Sequence, residues 1–195
     1  MNVLPLSGAM ASVYTRVDNE EGVWRVPANT SLADVNDTTV HVTDALQSDL
    51  NVDAVTGKSV NAIRVFRGRA CWSGAARTLD GNSQDWRYIN VRRLLIMIER
   101  SMKAAIKAYV FEANDAKTWT SVRGMLENFL TDLWKQGAIV GSKPEQAFSV
   151  AMGLGTKMAG EDILNCVMNG SVCVAVLRPA EFIVISIQQR MQRGT

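Results

Sequence analysis

VRRLLIMIERSMKAAIKAY, residues Val91 to Tyr109, is the stretch from which the fold is read. Val91, Leu95, Ile98, Met102, Ala105 and Tyr109 recur at steps of three and four, the period of an α-helix with one buried stripe. Arg92, Arg93, Glu99, Arg100, Lys103 and Lys107 avoid that stripe and form its wet side. A helix with one apolar face needs another surface to lie on. The next segment supplies one. Asn114 or Asp115 can cap a second helix, and Trp119, Val122, Leu126, Phe129 and Leu133 form its apolar face. Lys135 falls in its last turn, where the helix dipole favours a cation, and Gly137 stops it.

Working outward, the shorter apolar runs read as strands. Val35–Val42 alternates weakly, and Thr43 or Asp44 caps a short helix reaching about Leu50. Ala62–Phe66 and Cys71–Ser73 are strands, and Asp80, Gly81 and Asn82 turn the chain within Leu79–Asp85. Pro144 opens a turn before a strand at Phe148–Met152, Gly153–Gly160 is a loop, and Asp162–Val167 is ambiguous. Val172–Leu177 is a strand. Pro179 then sets up a last, mostly β-branched one: Phe182, Ile183, Val184, Ile185, Ser186 and Ile187. Met1–Asn29 is broken by Pro5, Gly8, Gly22 and Pro27 and reads as an extended, wrapping segment. The predicted fold class is α/β (α+β). A mixed sheet of about four to six strands is flanked by the two long amphipathic helices. Residues 1–30 are the N-terminal segment and 31–195 a single core domain.

The 195 residues are 47% apolar and 21% charged, enough to bury a core and too apolar for a disordered chain. A net charge of +2 gives no reason to expect nucleic acid. The longest apolar runs, Leu94–Ile98 and Phe182–Ile187, fall far short of the roughly 18 residues a membrane helix needs, so no membrane partner is expected. The first residues lack a basic leader and make a poor signal peptide. Cys71, Cys166 and Cys173 are odd in number and show no CxxC spacing. They read as reduced, small apolar fillers of a cytoplasmic product.

Chemistry-bearing patterns are sought and not found. The one histidine, His41, lies in a polar stretch and reads as a surface imidazole. TGKS, Thr56–Ser59, resembles the end of a phosphate loop, but Val52 stands where its first glycine belongs. GLGTKMAG, Gly153–Gly160, has Met158 in place of the third glycine of a dinucleotide loop. Glu20 and Glu21 are adjacent, so they cannot face each other across a scissile bond. Arg87, Arg92, Arg93, Arg100, Lys103 and Lys107 would suit nucleic acid, but a solvated helix face with Glu99 paired to Lys103 explains them as well. No catalytic residue, metal site or cofactor is assigned. The alternative to be kept is a small α/β enzyme or regulatory domain whose site is assembled from scattered residues.

Several blocks together resemble the C-terminal core of contractile tail sheath proteins of phages, pyocins and phage-derived contractile injection systems. They are SGAMASVYTRVDNEEGVWRVPAN (Ser7–Asn29), SVNAIRVFRGRACWSGAARTL (Ser59–Leu79), WRYINVRRLLIMIERS (Trp86–Ser101), VFEANDAKTWTSVR (Val110–Arg123), NFLTDLWKQGAIVG (Asn128–Gly141) and RPAEFIVISI (Arg178–Ile187). Their order is the family's. Ala76 is an extra alanine in the Gly-Ala-Arg-Thr-Leu ending, and Cys71 replaces a non-cysteine residue. Family members usually carry an outer domain before this core and a PGVY-like N-terminal stretch. These 195 residues contain neither, as expected of a fragment, an isolated domain or a reduced sheath.

The resemblance implies a non-enzymatic structural subunit of a phage tail or injection particle, assembled in the bacterial cytoplasm. Its partners would be itself, in a helical stack of hexameric rings, an inner tail tube protein, and baseplate and terminator proteins. It also implies β-augmentation, in which arms of neighbouring subunits add strands beside the last strand. Phe182–Ile187 is the expected receiving or donated strand. Tyr14, Val17, Val23 and Trp24 are expected in the wrapping N-terminal arm. Lys135 and Lys143, flanking a glycine-bearing turn, are the expected contacts to the inner tube.

Overall fold

The computed structural model describes residues 3, 5–32, 35, 37–53, 55–65, 71–73 and 76–179. Two helices set the frame. Helix α3 (Ile89–Ile106) continues into a 3-10 turn, Lys107–Tyr109, and helix α4 is Ala116–Lys135. Asp115 caps α4 by accepting the Thr118 backbone N–H at 2.8 Å. The other end closes on Gly137, whose φ of +78° is open to glycine at no steric cost. That turn lets Gly137 N–H donate to Trp134 O and Ala138 N–H to Leu133 O, both at 2.9 Å, which satisfies the last carbonyls of the helix.

The start of α3 is fixed differently, because Tyr88 offers no side-chain cap. The preceding loop does the work. Asn61 mimics a backbone strand, donating from Nδ2 to Arg77 O at 2.7 Å and accepting Arg77 N–H at 2.9 Å. Arg77, buried, donates to Gly81 O. Thr78 holds Trp86 O with its hydroxyl, and Ile89 N–H bonds Ala76 O. The Ala76–Arg77–Thr78 run is thus a structural clip that aims α3.

The main core lies between the two helices and an antiparallel ladder. Short helix α5 (Pro144–Ala147) leads directly into strand β3 (Phe148–Met152), which pairs with β4 (Gly170–Val174). Phe148 faces Val174, Val150 faces Val172, and Met152 faces Gly170. Phe148, Val150, Met152, Val172 and Val174 point inward onto Leu94, Ile98, Val122, Leu126, Leu130 and Leu133. Helix α6 (Gly160–Leu164) lies between β3 and β4 in sequence. Helix α2 (Asp44–Asn51), capped by Thr43, and the ladder of β1 (Ile63–Val65) with β2 (Cys71–Ser73) precede α3.

Four expectations change. Within the segment expected to be extended, Leu6–Glu20 is instead helix α1, with Val13 and Val17 buried against Leu32. Val35 and residues 37–42 hold no strand. Among the described residues the strands form two separate two-stranded antiparallel sheets, not one mixed sheet. The buried stripe of α3 runs through Asn90, Val91, Leu94 and Ile98, leaving Leu95 half-buried. The unbroken apolar run Leu94–Ile98 hides the phase, and the tertiary partner chooses it. On α4, Leu130 joins the expected stripe with no exposed surface. Phe182–Ile187 lies outside the described residues.

Candidate assembly surfaces

The first turns of α3 gather two segments distant in sequence, one following α1 and one following β4. Asn90 is 1% exposed, and its Nδ2 donates to Trp24 O and to Leu177 O, each at 3.1 Å. One amide therefore ties the segment leaving α1 to the segment leaving β4. Its Oδ1 is buried with no hydrogen-bond partner among the described residues, a cost accepted for the clasp. One turn on, Arg93 grips α1. It donates to both carboxylate oxygens of Asp18, at 2.8 and 2.5 Å, and its guanidinium lies 5.0 Å from the Tyr14 ring centre. The bond to Asp18 holds the guanidinium still more firmly protonated. Burial pushes the Tyr14 hydroxyl above its ordinary value, against the pull of the Arg93 charge.

The residues expected in the wrapping arm lie in helix α1 and in the turn that follows it. Tyr14 and Val17 line the inner face of a helix, Val23 borders a groove beside α3, and Trp24 packs on the main core. Gly22 and Arg25 close a turn there, Arg25 N–H to Gly22 O at 3.0 Å, so Val23 and Trp24 are not in a strand.

The β3–β4 ladder is the second surface. Ala175 N–H still bonds Ala147 O, but Val140 N–H takes Ala175 O, so the chain leaves β4 towards Ile139 and Val176. Among the described residues each strand has one neighbour, leaving an outer edge on both. Lys135 and Lys143 are exposed at either end of the turn between α4 and α5. Among the described residues Lys135 reaches Asp132, at 4.0 Å. Gly141, in that turn, accepts from Trp134 Nε1 at 2.8 Å and lies so close to the Ala147 backbone that a Cβ would stand 2.7 Å from its nitrogen.

The remaining candidates are accounted for locally. His41 is exposed, with Asp37 at 3.9 Å, and the described residues hold no group of three metal-ligating side chains. In the Thr56–Ser59 loop the Val55 and Thr56 amides are taken by Asp53 Oδ1, and Gly57 N–H by Asp53 O. In the Gly153 loop the Gly155 to Met158 amides bond Met158 O or Gly153 O. Neither loop presents a nest of free donors. Lys103 pairs with Glu99, Arg92 lies 4.9 Å from the Trp86 ring centre, and Arg87 bonds Gln84. Cys166 and Cys173 are free and exposed, not buried fillers. No helix among the described residues is long and apolar enough to cross a membrane.

Among the described residues this is a small α+β body with an outer edge on each strand of the β3–β4 ladder and with the segments at Trp24 and Leu177 clasped to one helix. Residues 82–190 match the family described as the phage tail sheath C-terminal domain, and the chain belongs to that family. It is 40% identical to the PVC sheath complex of an extracellular contractile injection system in its contracted state, with a TM-score of 0.90 over 97% of this chain and 52% of that one. It is 41% identical to the helical sheath of the anti-feeding prophage in its contracted state, with a TM-score of 0.88 over 96% of this chain and 51% of that one. The tail sheath protein of Vibrio phage KVP40 is 24% identical over 136 residues, 70% of this chain and 20% of that protein. The chain therefore spans about half the length of these solved relatives. The proteins it matches are structural sheath proteins, not enzymes.

Asn90 was invisible to a search for chemistry, although a lone polar residue ahead of Val91 and Leu94 is a visible irregularity in the stripe. Phe111 was also missed, because nothing local distinguishes an apolar residue after a helix from a core residue.

Proposed function

We propose that this chain is the core of a contractile sheath subunit. The likeness at 40% identity and a TM-score of 0.90 to a contracted sheath, over nearly the whole chain, carries this reading. Subunits stack as hexameric rings in a helical tube around an inner tail tube, bounded by baseplate and terminator proteins, after assembly in the bacterial cytoplasm. Residues 31–195 form a single core domain. Phe182–Ile187 is the strand exchanged between neighbours, extending the β3–β4 ladder into a larger mixed sheet flanked by α3 and α4. Tyr14, Val17, Val23 and Trp24 are the anchored root of the N-terminal arm, with the exchanged strand elsewhere. Lys135 and Lys143 touch the inner tube. Contraction switches the subunit between two packings. About a few kcal/mol per subunit suffices, since coupled subunits switch together and no nucleotide need be spent.

The test is electron microscopy of the concentrated protein beside a Val184→Pro variant. Proline removes a ladder donor from the exchanged strand. The wild type should give rings or tubes and the variant none, with unchanged thermal unfolding. A monodisperse wild type, or a variant that polymerises normally, would sink the reading. Charge reversal of Lys135 and Lys143 should weaken binding to the tube and leave the melting temperature alone.

A further inference from the structure

Beyond the Tyr109 turn the chain makes a loop that looks built for display. Phe111 is 104% exposed, Val110 is 56% exposed, and Phe111 has a φ of +74°. A bulky aromatic pays conformational strain in that left-handed region, and here no burial offsets it within the chain. The loop around it is nonetheless well held. Glu112 N–H bonds Tyr109 O, Trp119 Nε1 donates to Asn114 Oδ1 at 2.7 Å, and Asn114 Nδ2 donates to Val167 O at 3.1 Å. Strain, full exposure and a fixed base together describe a preorganised knob. Beside it the Glu112 carboxylate is exposed and pairs with no cation among the described residues.

The same molecule carries a matching hole. A groove of about 340 Å³ lies between Val23 and the outer face of α3, floored by Ile96, Met97 and Ser101 and bordered by Arg93 and Arg100. Arg93 is already neutralised by Asp18. Arg100 makes no ion pair or hydrogen bond with a described residue, and the adjacent Glu99 that feels its charge is already paired with Lys103, so the groove keeps a positive rim on an apolar floor.

We infer that Phe111 of one copy docks in the Val23–Ile96–Met97 groove of a second copy, with Glu112 paired to Arg100 at the rim. Knob and hole lie at different places along one helix and its extension. A contact between them is therefore head-to-tail and need not close, which makes an open helical array. The pairing is small, as suits a contact repeated at every step of a polymer. The backbone strain of presenting Phe111 stays in the loop, and the aromatic surface buried on docking offsets it. This contact rests on the sheath reading but does not use the exchanged strand.

The test places a photoreactive benzoylphenylalanine at position 111 of the full chain under assembly conditions. Irradiation should give covalent dimers whose joined peptide contains Val23, Ile96 or Met97. Phe111→Ser should raise the protein concentration needed for assembly about tenfold or more. Arg100→Glu and Glu112→Arg should each raise it about fivefold, and the double swap should restore it. Adducts mapping to any other surface, or Phe111→Ser assembling like the wild type, would overturn the contact. If that happens while Val184→Pro still abolishes assembly, only the knob-and-groove contact falls. A wild type that neither assembles nor forms dimer adducts removes both.

Discussion

The body around α4 and the region around α1 are held by different forces. The first buries Leu94, Ile98, Val122, Leu126, Leu130 and Leu133 beneath a sheet. The second buries three residues, Val13, Val17 and Leu32, and relies on Arg93–Asp18 and the Asn90 clasp to stay in place. Apolar burial is non-directional and sums with area, so the body resists as a unit. Polar clips are directional and individually modest, so the α1 region can come away without the core opening. The chain is stiff where a neighbour would be carried and separable where a neighbour would be grasped.

That contrast can be broken or sharpened by substitution. Leu130→Ala should cost about 2–5 kcal/mol in denaturant unfolding, because a fully buried side chain leaves a cavity among tightly packed neighbours. Val17→Ala should cost only about 1.5 kcal/mol, at roughly 0.8 kcal/mol per methylene-sized group, and hydrogen exchange should rise in α1 and not in α4. Equal, global effects of the two would abolish the distinction.

Asn90→Ala comes next. Removing the amide takes their shared donor from two part-buried carbonyls, a loss of about 1–3 kcal/mol at roughly 0.5–1.5 kcal/mol per hydrogen bond. Exchange should rise around Trp24 and Leu177 together. A rise at one alone would mean that the two ends are held independently.

Asp18→Asn should cost about 1 kcal/mol, since the pair is half-buried and bidentate yet open to solvent at one side. The wild-type advantage should shrink as salt is raised. Insensitivity to salt would shift the credit to the packing of Arg93 on Tyr14.

The smallest effect concerns pH. The Thr118 backbone N–H holds the Asp115 carboxyl below its ordinary value, so the folded state favours the ionised cap. Its contribution is complete above the unfolded carboxylate pKa and fades as pH falls through the lowered one. The protection factors of the first turn of α4, which are taken relative to the intrinsic exchange rate at each pH, should fall on acidification in the wild type. In Asp115→Ala those protection factors should already be low, with little further change.

Local signals made much of the body legible. Asp115, the 122–126–133 spacing and Gly137 bounded α4, and β3 lies where Phe148–Met152 alternates. What was misread depended on partners. Leu94 and Leu95 are chemically alike, and only the sheet decides which is buried. In α1, Leu6, Ala9, Met10, Val13 and Val17 do recur at helical steps, but Gly8 and the flanking Pro5 and Gly22 masked them; Gly8 sits in the first turn, where its cost is small. The candidate surfaces were least legible, because Asn90 acts through two carbonyls 66 and 87 residues away.

The Asn90 clasp has a mechanical corollary. Tension entering near Trp24 and leaving near Leu177 meets a short cut across one side chain before it can shear the hydrophobic interior. Pulled at both tails, the protein would behave like a link with a reinforced eyelet, in which the knot yields first and the bulk travels undamaged.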